Sequence, residues 1–376
     1  MIHRAVGAVQ ARPIPVVLPV AAPPANGKPP INNPSAIRRV FRMLRRCKWF
    51  AILFPDPYPA CVNPHGLLML LAWIVALGHP LRGRAETRIL ATLPAIHSWA
   101  ANVAGDDAVV ECLLSADVGP HDFQFKPSDL RKLARADVVL MNGLGVDPWL
   151  TRAVDQAGSK PSRRVVTVSE GLRGQLIHHL TPLAIDPTGG SRKSAADHDH
   201  GHDHGDEDAN PHVWLDPLLA KHCVSNIVLA LRQVDPGHAD GYARRGAAYL
   251  QELDALDQRI RSALKGLNNR KVVTFHDAFP YFCRRYDLKL VGVVEEVPHV
   301  DPSPRYLAQL SKAIRREKVR VVFSEPQFNP RIVRRLADDL GIRVAELDVL
   351  ETGTASRTFY IDGLDRNLRS LETALR

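Results

Sequence analysis

Residues 239–267 read ADGYARRGAAYLQELDALDQRIRSALKGL, and their pattern indicates how the chain is organised. Its apolar residues Tyr249, Leu253, Leu256 and Ile260 recur at intervals of three and four, which is the period of an α-helix with one buried face. The stretch predicts one long helix, assigned to residues 238–268, that joins the parts of the chain on its two sides.

Both sides of this helix show strands alternating with helices. Strands are predicted at 87–92, 109–114, 138–141, 271–274, 288–293, 319–323 and 342–347. Such alternation predicts an α/β fold with helices on both faces of each sheet. A chain of 376 residues also exceeds the size at which a single core keeps growing. We therefore predict two α/β lobes, an N-terminal one at 86–237 and a C-terminal one at 269–376, joined by the long rigid helix.

The first 85 residues have the composition of a leader. They contain eleven of the 49 Lys and Arg but one of the 40 acidic residues, so the net charge of +9 is located there. Because the rest of the chain is nearly neutral, a basic nucleic-acid-binding surface and a nucleic-acid partner are not expected.

The order of segments within residues 1–85 predicts export. A Pro-, Ala- and Asn-rich stretch at 11–36 is expected to be disordered, and a basic region at 38–48 precedes twelve mostly apolar residues at 66–77. Small residues at Gly83 and Ala85 suit cleavage of a signal peptide after Ala85. The apolar run is shorter than the ~20 residues of a membrane-spanning helix. A retained N-terminal anchor is the alternative.

Three widely spaced histidines are the candidate metal ligands. Neutral imidazole is the commonest protein ligand for zinc. His121 closely follows a predicted strand, and strand carboxyl ends open into the ligand crevice of α/β sheets. His212 precedes a helix that Asp216 and Pro217 should start as N-cap and first residue. His276 follows the first strand of the second lobe, so it can face His121 across a cleft. The alternatives are loop histidines at the first two positions and a core histidine at the third.

A run of acids and histidines lies within a predicted exposed loop at 186–210. Residues 197–208 read DHDHGHDHGDED and cannot form a core. We interpret the run as a flexible, weak collector of zinc, with a bland solvated loop as the alternative. Its imidazoles belong to His198, His200, His202 and His204. The five cysteines show no paired spacing, so a cysteine zinc site is not expected.

Five motifs in order resemble the zinc-binding, periplasmic solute-binding subunits of bacterial metal ABC transporters. The resemblance runs from about residue 87 to the C-terminus. The motifs are PHDF followed by KPSDL at 120–130, NGLG at 142–145, NPHVWLDP at 210–217, FHDAFPYF at 275–282 and FSEPQF at 323–328. The resemblance implies two lobes clamped on a rigid helix, with one metal in the cleft between the lobes.

The resemblance also implies a cargo, partners and a ligand set. Zn²⁺ would be the transported ligand, delivered by a periplasmic monomer to an inner-membrane ABC permease and its ATPase. Asp348 occupies the place of the family's C-terminal aspartate and is expected to be the fourth ligand. Glu325 is the rival, either as a ligand or as a hydrogen-bond partner of a ligating imidazole. Related manganese carriers place a carboxylate where His276 stands, and three nitrogens with one oxygen favour Zn²⁺ over Mn²⁺.

Two other classes of function remain open at this stage. A zinc-dependent hydrolase needs an open metal position and a nearby base, for which Asp277 and Glu325 are candidates. The chain contains no HExxH motif, so an enzyme is not our prediction. A periplasmic zinc buffer or an adhesin on the same fold is the second alternative, since carriage depends on the partner permease.

Overall fold

The computed structural model describes residues 86–156, 160–178, 209–295 and 300–376. The predicted leader at 1–85 and the acidic histidine run at 197–208 lie outside these ranges. Among the helices within them, none combines the length and the hydropathy that crossing a membrane requires.

In its described residues, the N-terminal lobe contains a four-stranded parallel sheet and four α-helices. In chain order its elements are β1 (Thr87–Ala91), α1 (Pro94–Ala104), β2 (Ala108–Cys112), α2 (Pro127–Arg135), β3 (Val138–Met141), α3 (Trp149–Gln156), β4 (Arg164–Thr167) and α4 (Pro217–Val234). The strand order is β2-β1-β3-β4. The central strand β3 is a continuous apolar run and is almost wholly buried, as a parallel strand covered on both faces must be.

The predicted long helix is α5 (Ala239–Lys265). Its residues Tyr249, Leu253, Leu256 and Ile260 are all buried, which confirms the helical period. The helix packs most extensively against α4. Gly246 allows this close approach, because a Cβ at that position would lie 2.4 Å from the side chain of Val228.

The C-terminal lobe repeats the topology of the first. Its elements are β5 (Lys271–Thr274), α6 (Pro280–Arg285), β6 (Lys289–Val293), α7 (Pro304–Glu317), β7 (Val321–Ser324), α8 (Arg331–Leu340), β8 (Arg343–Glu346) and α9 (Phe359–Leu375). The parallel strand order is β6-β5-β7-β8. The α/β fold class with two lobes and a long helix is therefore confirmed.

In both lobes the strand order reverses direction next to the first strand. A crevice opens at such a switch point, outside the carboxyl ends of the strands on its two sides. In the second lobe these strands are β5 and β7, which are followed by His276 and Glu325. The topology alone therefore places these two side chains at the ligand-binding edge of the sheet.

The chain after β8 returns to the first lobe. The Ser98 hydroxyl of α1 donates a hydrogen bond of 2.7 Å to the carbonyl of Arg357. The Tyr360 hydroxyl at the start of α9 donates one of 2.6 Å to the carbonyl of Trp214, and its ring lies edge-on to Trp99 at 5.2 Å. The largest buried apolar cluster accordingly contains residues of both lobes.

Candidate metal centre

Side chains from four separated segments converge between the lobes. One ligand atom from each of His121, His212 and Glu351 falls in a group whose members all lie within 4.8 Å of one another. The Nε2 atom of His212 is 3.2 Å from Oε1 of Glu351 and 3.3 Å from Nε2 of His276. The structure therefore brings the three sequence-predicted histidines together. His276 joins the group of His121, His212 and Glu351 through its contact with His212.

These separations match the edges of a metal tetrahedron. Zinc binds imidazole nitrogen and carboxylate oxygen at about 2.0–2.2 Å, so neighbouring tetrahedral ligands lie about 3.3–3.5 Å apart. The two contacts made by His212 Nε2, at 3.2 and 3.3 Å, lie at or just below this spacing. The distance from Nε2 of His121 to Oε1 of Glu351 is 3.9 Å, slightly wider. The His121 side chain is also the most exposed of the four, at 31% against 3–4% for the others.

The imidazole of His212 is oriented by Asn210. The Asn210 amide nitrogen donates to the carbonyl of Asp277 at 2.6 Å, so its Oδ1 atom faces His212 as an acceptor. This oxygen lies 3.1 Å from the backbone nitrogen of His212 and 2.9 Å from its Nδ1 atom. Nδ1 therefore carries the proton, and the lone pair of Nε2 points toward His276 and Glu351.

Both lobes hold the segment that carries His212. Asp216 accepts from the backbone of Leu218 and starts α4 as its N-cap, with Pro217 as the first helical residue, as predicted. From the second lobe, Nε of Arg285 approaches both carboxylate oxygens of the fully buried Asp216 at 2.9 Å. Contacts from both lobes thus hold the segment that carries His212 in place.

His276 and Glu325 form a buried pair. Nδ1 of His276 lies 2.7 Å from Oε2 of Glu325, and the backbone nitrogen of His276 donates to Oε1 at 3.2 Å. Burial lowers the pKa of His276, but the Glu325 carboxylate outweighs it and raises that pKa to about 9. Burial raises the pKa of Glu325 as well. Glu325 thus hydrogen-bonds a candidate ligating imidazole, which is one of the two roles expected from the sequence.

Aromatic packing holds the loop that carries His121. The Trp149 indole donates a hydrogen bond of 3.2 Å to the carbonyl of Pro120. The rings of Phe123 and Phe125 lie 4.6 and 5.4 Å from the Trp149 ring. The residues on both sides of His121 are therefore attached to α3, while the imidazole itself stays partly accessible.

The structure does not place the Asp348 carboxylate at the histidines. Oδ1 of Asp348 accepts from the backbone nitrogen of Leu350 at 2.8 Å, and Oδ2 lies 3.4 Å from the guanidinium of Arg366. The carboxylate of this loop that contacts the histidines is that of Glu351, three residues further along, whose Oε1 lies 3.2 Å from Nε2 of His212. This geometry favours Glu351 over Asp348 as the carboxylate ligand, and we propose Glu351 in that role.

Sequence reasoning missed two residues of the site. Glu351 follows β8 in the loop predicted to supply a carboxylate, but spacing could not choose between it and Asp348. Asn210 stood inside a quoted motif, where no pattern indicated that its amide orients an imidazole. His198, His200, His202 and His204 lie outside the described residues.

Known proteins are similar to this chain in sequence and in fold. The zinc-binding lipoprotein AdcA of Streptococcus pneumoniae is 26% identical over 304 residues, covering 80% of this chain and 58% of the relative. The chain thus spans little more than half the length of the AdcA relatives it matches.

Solved structures give the same result for the fold. A crystal structure of ZnuA covers 77% of this chain and 100% of its own, with a TM-score of 0.64 and 24% identity. The SBP FpvC of Pseudomonas aeruginosa in complex with Ni²⁺ covers 77% of this chain and 97% of its own, with a TM-score of 0.64 and 25% identity.

The sequence model of one protein family matches this chain from within β1 to near its C-terminus. The model describes a periplasmic component A of the zinc-uptake complex and covers residues 89–374. The match includes every described residue of the candidate metal centre. This chain belongs to the family of zinc-uptake complex component A proteins.

Proposed function

We propose that this protein captures one Zn²⁺ ion between its two lobes and delivers it to an inner-membrane ABC permease and its ATPase. The proposed ligands are Nε2 of His121, His212 and His276 and the carboxylate of Glu351. The observation that carries the proposal is the spacing around His212 Nε2, at 3.2 Å from Glu351 and 3.3 Å from His276. Both distances are close to the tetrahedral edge of a zinc site, about 3.3–3.5 Å.

The donor set supports zinc as the main cargo. Three imidazole nitrogens and one carboxylate oxygen form a softer set than the oxygen-rich sites that Mn²⁺ prefers. Structural neighbours are described in complex with Ni²⁺ and with Mn²⁺, so this fold accommodates several divalent ions. We expect Zn²⁺ to bind more tightly than Mn²⁺ at this site.

A carrier accounts for the site better than a hydrolase does. A catalytic zinc keeps one coordination position open for water, whereas four protein side chains complete a tetrahedron. Glu325, one of the two candidate bases, is already hydrogen-bonded to His276 Nδ1. The family is one of metal-binding components of zinc uptake, and we propose that this member has no enzymatic activity.

The remaining parts of the proposal concern location and state. We propose export to the periplasm by the leader at 1–85, function as a monomer, and weak auxiliary zinc binding by residues 197–208. The lobes are assigned to 86–237 and 269–376, with the joining helix at 238–268. A periplasmic buffer or adhesin would share the metal site, so uptake has to be measured directly.

Two measurements on matched variants test the proposal. The protein expressed from residue 86 onward should show one tight zinc site in competition with a chelator. Glu351→Gln should weaken this site, and the control His222→Gln should leave it unchanged. His222 is a suitable control because its imidazole contacts the carbonyl of Glu170. In the source bacterium lacking this gene, the wild type should restore growth in chelated medium and Glu351→Gln should not. Equal restoration by both would refute zinc delivery through this site.

A further inference from the structure

We infer that Asp348 is a positioning residue, whose carboxylate holds the main chain in the conformation that directs Glu351 at the histidines. The inference rests on the proposed function, in which Glu351 is a zinc ligand. It gives Asp348, expected from the sequence to bind the metal itself, a different task.

The residue before the proposed ligand has an unusual backbone. Leu350 has a φ of 62°, in the left-handed region that a branched L-residue rarely adopts. Such conformations persist only where surrounding contacts determine them, and they are concentrated at ligand-binding sites. The direction in which the chain leaves Leu350 determines where Glu351 points.

Hydrogen bonds clamp the peptide unit between Val349 and Leu350 at both ends. Its carbonyl accepts from the indole of Trp214 at 2.7 Å, and its N–H donates to Oδ1 of Asp348 at 2.8 Å. Asp348 can act as a fixed acceptor because Asn367 holds its main chain from both sides. The backbone nitrogen of Asp348 donates to the amide oxygen of Asn367 at 2.8 Å, and the amide nitrogen donates back to its carbonyl at 2.7 Å.

Packing fixes the Leu350 side chain as well. It is fully buried and lies against α9 at Gly363, where a Cβ would come within 2.3 Å of its Cδ2 atom. After Glu351, the backbone nitrogen of Gly353 donates to the carbonyl of Ala116 in the first lobe at 2.7 Å. The loop is thus fixed before and after the ligand, and the Asp348 carboxylate is the charged group that accepts from the Leu350 N–H.

Asp348→Ala and Asp348→Asn separate positioning from ligation. An asparagine keeps an oxygen that can accept from Leu350, but it removes the negative charge that a zinc ligand would supply. It also removes the contact with Arg366, which is half exposed, so little stabilisation is lost there. If Asp348 positions the loop, alanine should weaken zinc binding by about tenfold or more, as loss of a residue that orients a ligand does. Asparagine should stay within about threefold of the wild type.

Hydrogen exchange of the metal-free variants gives a readout that does not need zinc. The Leu350 amide should exchange faster in Asp348→Ala and should remain protected in Asp348→Asn. If Asp348→Ala does not fold, the comparison of Asp348→Asn with Glu351→Gln still decides, because only the latter should lose tight binding.

Three outcomes have distinct meanings. Equal loss of affinity in the alanine and asparagine variants would show that the Asp348 charge binds the metal, which overturns the inference. Unchanged affinity and exchange in Asp348→Ala would also overturn it. Wild-type affinity in Glu351→Gln, or no tight zinc binding by the wild type, would instead refute the proposed function on which the inference rests.

Discussion

Replacing Glu325 by Gln should change how zinc affinity depends on pH. The Glu325 carboxylate lies 2.7 Å from His276 Nδ1 and raises the pKa of this histidine to about 9 against the opposing effect of burial. Zinc binds a neutral imidazole, so one proton must leave the pair when the metal binds. Burial raises the pKa of Glu325. The His276–Glu325 pair therefore retains the proton that must leave, whichever of the two groups carries it.

Two opposing effects set the size of the change. At pH 7, about two units below the pKa of His276, proton competition weakens zinc binding by about two orders of magnitude. Removing the carboxylate lets that pKa fall toward its ordinary value, which relieves most of this competition. The same carboxylate makes the imidazole a better ligand, and its loss costs about 10–100-fold in affinity. Near pH 7 the relief of proton competition offsets the weaker ligation. Near pH 9 there is little proton competition to relieve, so the weaker ligation dominates.

Zinc affinities measured by chelator competition between pH 7 and 9 report both the proton competition at His276 and the effect of Glu325 on ligand strength. The wild-type affinity should rise by up to about 100-fold across this range, as proton competition at His276 disappears. The affinity of Glu325→Gln should be nearly constant, within about tenfold of the wild type at pH 7 and about 10–100-fold weaker at pH 9. Parallel curves for the two proteins would contradict this prediction, because they would show that Glu325 does not control the proton on His276.

Three further changes test other parts of the site. His121→Ala should abolish tight zinc binding without lowering the melting temperature, since this side chain is partly exposed, and calorimetric scanning with a zinc titration checks both. His276→Ala should abolish binding and also reduce the free energy of unfolding by about 3–5 kcal/mol in urea, because Glu325 is left buried without its partner. An unchanged urea midpoint would contradict that account. Deleting 197–208 should leave one tight site, changed by less than tenfold, and remove weaker equivalents in a calorimetric titration; loss of the tight site would place the loop in the primary site.

Local patterns were enough to predict the fold and part of the site. The spacing of apolar residues in α5 specified a helix with one buried face, and the structure buries that face. Asp216 followed by Pro217 predicted the start of α4, since capping depends on neighbouring residues alone. His276 could be placed at the cleft because parallel strands bring their carboxyl ends to one edge of the sheet.

The carboxylate of the site could not be predicted in this way. Asp348 and Glu351 are three residues apart in one loop, and either could follow the last strand into the cleft. The choice depends on the left-handed conformation of Leu350, which is held by Trp214 from the other lobe and by packing at Gly363. These contacts join residues distant in sequence, so no local pattern records them. The tautomer of His212 likewise depends on which way an amide group is held by the second lobe.

A crystal structure of the zinc-bound protein, with anomalous scattering at the zinc edge, tests whether both lobes coordinate the metal. We predict one strong zinc peak between the lobes, with Nε2 of His121, His212 and His276 at about 2.0–2.1 Å and a carboxylate oxygen of Glu351 at about 2.0–2.2 Å. A zinc ion bound by Asp348 in place of Glu351, or one that lacks any of the three histidines, would contradict it.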